Sequence, residues 1–413
     1  MNKIKSWICD RKNVVVVVAL TLMMIISFLL RLKYVQNIQY NLMTDALNYH
    51  NMTIQLLNKG IFGYMSDTPN AYVTPGYPLF LALIYSISGI DRGIYTTQMV
   101  QHVLGCLSAI VMYIILYRLF GKRLIGLIGA FCMAFYPIFI MGSMCLLTEC
   151  LYTFFFLLYF LIQLESINVP NDKIKKKNII YAIISGVLFA ICILIRPAMF
   201  PILIVPYLYK YLVTRKMNTV KEFGFFVGAI IILMFPWWIR NIVVLKDFVL
   251  LATQSGNPML AGTFPYYIGM DNYVMTHSSE SSEAIYRIIH GFITQPKLYL
   301  KWFTIGKINY IFYNLWYYLP GPVSVPYLID LLKVMHYGLV SVGFLGTGFG
   351  IFYRKTRFIS IFTILSVGML LMFIPTERYS YTIMPLFIIF TAFVIDILIP
   401  KRVSLDSGKQ TII

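Results

Sequence analysis

Residues 14–30 read VVVVVALTLMMIISFLL, a run without a single charged side chain. An α-helix needs about 20 predominantly apolar residues to cross the hydrocarbon of a bilayer. Further runs of similar length follow as blocks, at residues 124–141, 146–164, 179–195, 223–238, 358–374 and 381–399. These blocks predict an all-α membrane protein whose chain crosses the bilayer repeatedly.

The overall composition supports the same fold class. Of 413 residues, 59% are hydrophobic and only 12% are charged, whereas a soluble domain carries about 25% charged residues. Three segments that are amphipathic or interrupted, residues 94–117, 198–212 and 331–352, bring the expected total to about ten crossings. We therefore expect residues 1–413 to form one integral membrane domain, with no separate soluble domain.

The net charge of +18 comes from 34 basic and 16 acidic residues. If the amino terminus lies inside the cell, most of the basic residues fall on short cytoplasmic segments, which is the positive-inside pattern of cell-membrane proteins. The pattern predicts that both termini are cytoplasmic and that two long loops, residues 31–93 and 240–330, lie on the exterior face. The charge then needs no nucleic-acid partner.

The first long loop contains a helical pattern at residues 45–58, DALNYHNMTIQLLN. Leu47, Ile54 and Leu57 fall near one side, so we expect a short helix on the membrane surface, ended by Gly60. A proline turn, TPGYP at residues 74–78, leads into an apolar stretch at residues 77–90. That stretch is too short for a confident crossing, and we expect it to be membrane-embedded or interfacial.

The second long loop begins with PWWIRN at residues 236–241. Two adjacent tryptophans predict an anchor at the membrane interface, with Arg240 ending the crossing. Later in the loop, residues 299–318 are rich in aromatic side chains and predict a helix at the level of the lipid headgroups.

Two acidic residues stand out because carboxylates are costly beside a membrane. Asp45, shortly after the first crossing, is either a general base in a cavity at the membrane face or an ordinary acid of a helix N-terminus, with Thr44 as its cap. Glu149, in an otherwise uncharged stretch, either faces a cavity or forms a buried ion pair with an arginine.

Three arginines fall on the same predicted face as Asp45: Arg196, Arg240 and Arg378. Guanidinium groups bind phosphate with paired donors, so these residues predict a pocket for a phosphate or pyrophosphate. The alternative for each is contact with lipid headgroups. The histidines, cysteines and loop acids show no metal-ligand spacing, so a metal ion is possible but not favoured, and we expect no other cofactor.

The order of these residues along the chain resembles the pattern of the GT-C fold glycosyltransferases that use polyprenyl-phosphate sugars. The resemblance is to the bacterial branch related to protein O-mannosyltransferases and to the aminoarabinose transferase of lipid A. It spans almost the whole chain and rests on Asp45 with Tyr49, Gly60, the turn at residues 74–78, Thr148-Glu149, Arg196-Pro197, the segment at residues 236–241, and Glu377-Arg378-Tyr379.

The resemblance implies inverting transfer of a sugar from a polyprenyl-phosphate donor in the membrane to an exterior saccharide, lipid or protein. Asp45 would deprotonate the acceptor hydroxyl, and Glu149 would support it in catalysis. The remaining roles implied are donor-phosphate binding by Arg196, Arg240, Arg378 and Tyr379, and other substrate contacts by Tyr49 and Tyr77.

Two positions depart from the family pattern. Ala46 stands where the mannosyltransferases have a second acidic residue, and Val73-Thr74 stand where the aminoarabinose enzymes have a lysine. The identities of the sugar and the acceptor therefore do not carry over. Two other hypotheses remain: a transporter or flippase of lipid-linked saccharides, for which no internal repeat is evident, and a non-catalytic membrane assembly partner.

Overall fold

A computed structural model describes residues 11–37, 42–167, 176–254, 256–316 and 326–399. Every regular element within these ranges is helical, which confirms the predicted all-α fold. The α-helices are α1 (Arg11–Asn37), α2 (Thr44–Lys59), α3 (Gly76–Ser88), α4 (Ile90–Phe120), α5 (Arg123–Phe135), α6 (Pro137–Gly142), α7 (Thr148–Ile167), α8 (Lys176–Ile195), α9 (Val205–Thr214), α10 (Asn218–Leu245), α11 (Gly256–Ala261), α12 (Glu280–Thr294), α13 (Pro296–Lys301), α14 (Lys307–Phe312), α15 (Pro326–Gly350), α16 (Arg357–Leu370) and α17 (Ser380–Leu398).

The protein is a multi-pass membrane protein. Within the described ranges, the helical segments long and apolar enough to cross a bilayer are Lys12–Gln36, Ile90–Phe120, Thr148–Ile167, Lys176–Ile195, Asn218–Leu245 and Glu377–Leu398. Shorter apolar helices accompany them at Gly76–Ser88, Arg123–Phe135, Phe200–Thr214 and Arg357–Leu370. The count of about ten crossings stays a prediction. So does the cytoplasmic location of the termini, since residues 1–10 and 400–413 lie outside the described ranges.

Prolines divide two of the predicted crossings. Tyr136 adopts an extended conformation before Pro137, so the crossing expected at residues 124–141 is split into α5 and α6. A residue before proline is pushed out of the helical region, which explains the break. The segment expected to cross at residues 198–212 consists of a 3-10 turn, Pro197–Ile202, followed by the 10-residue helix α9.

Helix α17 lies at the centre of the bundle. It contacts α4, α5, α7, α15 and α16, and Met384, Phe387 and Phe390 on it are fully buried. A helix that is apolar all round is stable only when it is covered by neighbours. Gly343 of α15 allows a close approach, because a Cβ there would come within 2.5 Å of the Phe387 ring. The bundle thereby fixes the start of α17, directly after Arg378.

The first loop, defined as residues 42–75 before α3, contains the predicted helix as α2. Gly60 ends it in the left-handed conformation, with φ of 68°. Tyr49 and Met52 of α2 are buried against the bundle, whereas Leu47 and Leu57, on its apolar side, are 39% and 38% exposed. The location of α2 at the membrane surface stays a prediction.

The proline turn brings the first loop onto the end of α8. A Cβ at Gly76 would lie 2.6 Å from the carbonyl oxygen of Leu194, so the backbones touch at that point. After the turn, the stretch expected to be embedded or interfacial forms α3, on which Leu83 and Ile87 are exposed. Its position relative to the membrane stays a prediction.

Helix α10 continues past Arg240 to Leu245, so Arg240 does not end the helix. The point at which the crossing itself ends stays a prediction. The two tryptophans bind the chain that follows the helix. The indole of Trp237 donates to the carbonyl of Leu251 at 2.9 Å, and that of Trp238 donates to the carbonyl of Leu250 at 2.9 Å. These bonds hold the start of the second loop, residues 246–316, against the bundle.

Side chains of the second loop donate hydrogen bonds to the backbone of residues 371–375, the segment that leads to Arg378. The buried Lys307 ammonium donates to the carbonyls of Leu371 and Phe373 at 2.6 and 3.0 Å, and burial lowers the pKa of Lys307 to about 7. The Tyr267 hydroxyl donates to the carbonyl of Pro375 at 2.7 Å. The aromatic stretch expected at headgroup level therefore partly packs inward, with Trp302 fully buried; residues 317 and 318 lie outside the described ranges.

A buried ion pair joins the helices at the end of the bundle opposite the loops. Lys210 of α9 lies 2.6 Å from Glu222 of α10, and both side chains are buried. Lys210 also donates to the carbonyl of Ser166 at 2.8 Å, and Asn178 donates to Glu222 at 2.9 Å. Four helices, α7 to α10, thus share one polar contact.

Replacing Lys210 by Met is expected to lower the free energy of unfolding by ~3–5 kcal/mol, because the Glu222 carboxylate would be left buried without its cation. The double variant Lys210→Met/Glu222→Gln should recover most of that loss. Thermal unfolding in detergent measures both. Equal destabilisation in the single and double variants would contradict the explanation.

Candidate active site

Asp45 lies in the first turn of α2, but its contacts are not those of an ordinary acid at a helix N-terminus. Met43, not Thr44, occupies the N-cap position, and no side chain caps the helix. The Asp45 carboxylate instead accepts a hydrogen bond from the Tyr64 hydroxyl at 2.8 Å and pairs with Arg378 at 2.7 Å. The carboxylate remains 37% exposed, so it is accessible to a substrate.

Glu149 is fully buried at the start of α7. Its Oε1 accepts hydrogen bonds from Arg196 Nη1, at 2.5 Å, and from Arg378 Nε; its Oε2 accepts from Arg378 Nη2 at 3.3 Å. The ion pair that sequence reasoning left as one alternative is therefore present. A buried carboxylate with two cationic partners is well suited to orienting those cations.

Four distant parts of the chain thus meet in one cluster. Asp45 comes from α2, Glu149 from α7, Arg196 from the chain directly after α8, and Arg378 from the 3-10 turn Glu377–Tyr379 before α17. The guanidinium of Arg196 also stacks over the Tyr379 ring at 5.0 Å. Two negative and two positive side chains balance one another, so an anionic ligand would compete with the carboxylates for the arginines.

The cluster borders a cavity of about 330 Å³. Of the residues singled out in the sequence, Asp45, Tyr49, Arg196, Arg378 and Tyr379 line it. Apolar side chains form much of the remaining wall, and neutral polar side chains join them at Thr74, Thr148 and Gln254. A second, narrow cavity shares Ala198, Met369, Leu370 and Phe373 with the first and runs between apolar side chains such as Phe156, Ile202 and Leu386.

Tyr49 and Tyr77 occupy different places. The Tyr49 ring lies edge-on to Tyr64 at 5.4 Å and to Tyr77 at 5.1 Å, and burial raises the pKa of Tyr49, an effect that Arg378 opposes. Tyr77 is fully buried, is not among the residues lining the cavity, and donates to Gln101 Oε1 at 3.1 Å. Gln101 in turn binds the backbone just before Glu149, through the carbonyl of Cys145 at 2.8 Å.

Arg240 does not join the cluster. Its guanidinium lies over the rings of Phe62 and Trp237 and donates to the carbonyls of Phe62 and Asn70 at 3.0 and 2.9 Å. Both carbonyls belong to the first loop. Arg240 therefore binds the first loop. It does not line the cavity that Arg196 and Arg378 line.

Sequence reasoning missed Tyr64, which contacts Asp45 directly. Its ring stacks on Tyr72 at 5.5 Å, and its backbone N–H and carbonyl both bond to the side chain of Asn70, at 3.1 and 3.0 Å. Burial, together with the nearby Asp45 carboxylate, raises the pKa of Tyr64, so the phenol remains a donor at neutral pH. Only the folding of the loop brings residues 45 and 64 together.

No group of three His, Cys, Asp or Glu side chains that could hold a metal ion occurs in the part of the chain that the structure describes. What the site offers is a carboxylate within reach of a substrate hydroxyl, and guanidinium groups positioned for an anion. In such a combination the carboxylate can take a proton from one substrate, while the guanidinium groups stabilise negative charge on a second substrate.

The sequence profile of the dolichyl-phosphate-mannose-protein mannosyltransferase family matches residues 69–239. The matched stretch includes Glu149 and Arg196 but neither Asp45 nor Arg378. No curated protein sequence matches the chain.

Solved structures share the fold over nearly the whole chain. The oligosaccharyltransferase of Archaeoglobus fulgidus superposes with a TM-score of 0.58 at 13% identity, over 95% of this chain and 51% of its own, in the apo form. The complex of the same enzyme with zinc and sulfate superposes with a TM-score of 0.57 at 12% identity, over 91% of this chain and 49% of its own. ArnT from Cupriavidus metallidurans, solved with undecaprenyl phosphate bound, superposes with a TM-score of 0.57 at 12% identity, over 92% of this chain and 60% of its own.

These likenesses confirm the predicted GT-C fold. The chain spans about half the length of the archaeal structures it matches and 60% of ArnT. The activity, substrates and partners of those longer proteins are therefore a basis for proposals about this chain.

Replacing Arg240 by Met should lower the free energy of unfolding by ~2 kcal/mol, because two carbonyls of the first loop lose a charged donor. Affinity of the cavity for inorganic phosphate should not change. The matched variant Arg196→Met, which removes a guanidinium that lines the cavity, should lose most of that affinity. Thermal unfolding and phosphate titration in detergent measure the two effects, and weakened phosphate binding in Arg240→Met would restore Arg240 as a phosphate ligand.

Proposed function

We propose that the protein transfers a sugar from a polyprenyl-phosphate donor to an acceptor hydroxyl, with inversion of the anomeric centre and with Asp45 as the general base. The observation that carries the proposal is the meeting of one accessible carboxylate with two arginines in a single cavity. The family match at residues 69–239 supports transfer of a lipid-linked sugar.

The chemistry follows from the charges. The acceptor oxygen attacks the anomeric carbon, its proton passes to Asp45, and the bond between that carbon and the phosphate oxygen breaks. A sugar phosphodiester carries one negative charge, and the departing lipid phosphate gains a second. Arg196 and Arg378 would bind the phosphate more tightly as that charge develops, which lowers the barrier. Glu149 would contribute by orienting both guanidiniums.

Apolar side chains of α7, α16 and α17 lie next to the cluster, around a small second cavity of about 30 Å³. An isoprenoid chain would contact these side chains beside the phosphate site. ArnT, which shares this fold, was solved with undecaprenyl phosphate bound. We therefore propose a polyprenyl phosphate as the carrier, with its tail among these helices.

The membrane orientation is part of the proposal. The positive-inside pattern puts the two long loops, and hence the cavity that they border, on the non-cytoplasmic face of the cell membrane, with both termini in the cytoplasm. The acceptor, a saccharide, a lipid or a protein, would enter from that face. Mass spectrometry of cell-envelope glycans, lipids and glycoproteins with and without the gene would identify its class.

The Asp45→Asn variant should insert and unfold like the wild type but transfer sugar at least ~100-fold more slowly, since a positioned base contributes about 10²–10⁴ in rate. Transfer from a panel of undecaprenyl-phosphate sugars by purified protein is the measurement. Full activity of Asp45→Asn would overturn the assignment of the base. Absence of transfer by the wild type with every donor would overturn the proposed activity.

We also propose transfer without a metal ion, supported by the two arginines that can meet the phosphate charge. An excess of EDTA should leave the rate of transfer unchanged. A rate that falls with EDTA and recovers on addition of Mg²⁺ or Mn²⁺ would contradict this part of the proposal.

A further inference from the structure

Arg378 is shared between two carboxylates that hold it unequally. Glu149 is fully buried and binds two nitrogens of the guanidinium, Nε and Nη2. Asp45 is 37% exposed and binds only Nη1, at 2.7 Å. A buried bidentate ion pair is much harder to break than a half-exposed single contact. If a third anion approaches Arg378, the Asp45 contact is the one that yields.

The other partner of Asp45 is fixed independently of Arg378. The Tyr64 hydroxyl donates to Oδ1 of Asp45 at 2.8 Å, and the amide of Asn48 approaches the Tyr64 oxygen at 3.4 Å. Stacking on Tyr72 and two hydrogen bonds between its backbone and the Asn70 side chain hold Tyr64 within the first loop. Tyr64 therefore keeps its place when the guanidinium changes partner.

We infer that the donor phosphate takes the place of Asp45 on Arg378, and that Tyr64 then positions the released carboxylate for the acceptor hydroxyl. The Oδ2 atom, which Arg378 occupies in the free protein, becomes the atom that receives the proton. The inference rests on the proposed function and adds two things to it: lipid phosphate and base are coupled through one guanidinium, and Tyr64 is a positioning residue. The base is free only when a donor is bound.

The first test measures competition for Arg378 with undecaprenyl phosphate as the probe. Asp45→Asn should bind this lipid about fivefold more tightly than the wild type, the factor that corresponds to ~1 kcal/mol for a partly exposed ion pair. Removing any nearby negative charge also favours an anion, so the control is Glu377→Gln. Glu377 adjoins Arg378 in sequence, and its carboxylate accepts a hydrogen bond from the Asn314 amide at 3.2 Å.

The expected result is a clear gain in affinity for Asp45→Asn and a much smaller one for Glu377→Gln. Equal gains in the two variants, or no gain in Asp45→Asn, would overturn the exchange. Wild-type protein that fails to bind undecaprenyl phosphate at all would overturn the proposed function itself, so the two failures are distinguishable.

The second test isolates Tyr64. Tyr64→Phe removes the hydroxyl that binds Asp45 and should lower kcat about tenfold or more, because a misplaced base loses much of its effect, while the KM for the donor stays the same. Tyr72→Phe is the matched control, since Tyr72 contacts the Tyr64 ring but not Asp45, and it should keep the wild-type kcat. A Tyr64→Phe variant with wild-type kcat, or one whose loss lies in KM, would overturn the positioning role.

Discussion

The guanidinium of Arg378, held between Asp45 and Glu149, connects the parts of the protein that make the site. Asp45 belongs to a loop, Glu149 to the start of a helix in the bundle, and Arg378 to the turn before the central helix α17. A carboxylate as deeply buried as Glu149 is tolerated because Arg378 and Arg196 neutralise it. The planar fork of arginine can serve two carboxylates at once, which the ammonium of lysine would do with less directional control.

The bundle and the loops contribute different things to the cavity. The bundle supplies Glu149 and the chain ends that carry Arg196 and Arg378, while the first loop supplies Asp45. The two loops also bind each other: the backbone N–H groups of Thr253 and Gln254 donate to the carbonyls of Ala71 and Tyr72, at 2.9 and 3.2 Å. The position of Asp45 therefore depends on contacts between loops as well as on the helix that carries it.

Much of this organisation could be predicted from the sequence, because apolar blocks and isolated charges are local signals. The runs of apolar residues predicted the membrane fold, and the cost of a charge beside the membrane pointed to Asp45, Glu149, Arg196 and Arg378. The helix at residues 45–58 and its end at Gly60 were also predictable from spacing.

Long-range contacts were beyond such reasoning. Arg240 resembles the other arginines in sequence, yet it binds loop carbonyls, because what decides its role is the fold of residues 62–70 beside it. Tyr64 gave no signal at all, since its contact with Asp45 arises from loop folding. The buried face of α2 also follows from the folding of the loop, which covers Tyr49 and Met52 and leaves two leucines exposed.

The contact of the second loop with residues 371–375 has a consequence for how the protein could be inhibited at a distance from the cavity. Lys307 and Tyr267 hold the carbonyls of Leu371, Phe373 and Pro375, only a few residues before Arg378. A molecule that pulled the loop away would shift this segment and the guanidinium with it. An antibody or a designed binder raised against the loop could thus inhibit the protein without entering the cavity. Substitutions that abolish this inhibition would then lie in the loop, away from the cavity.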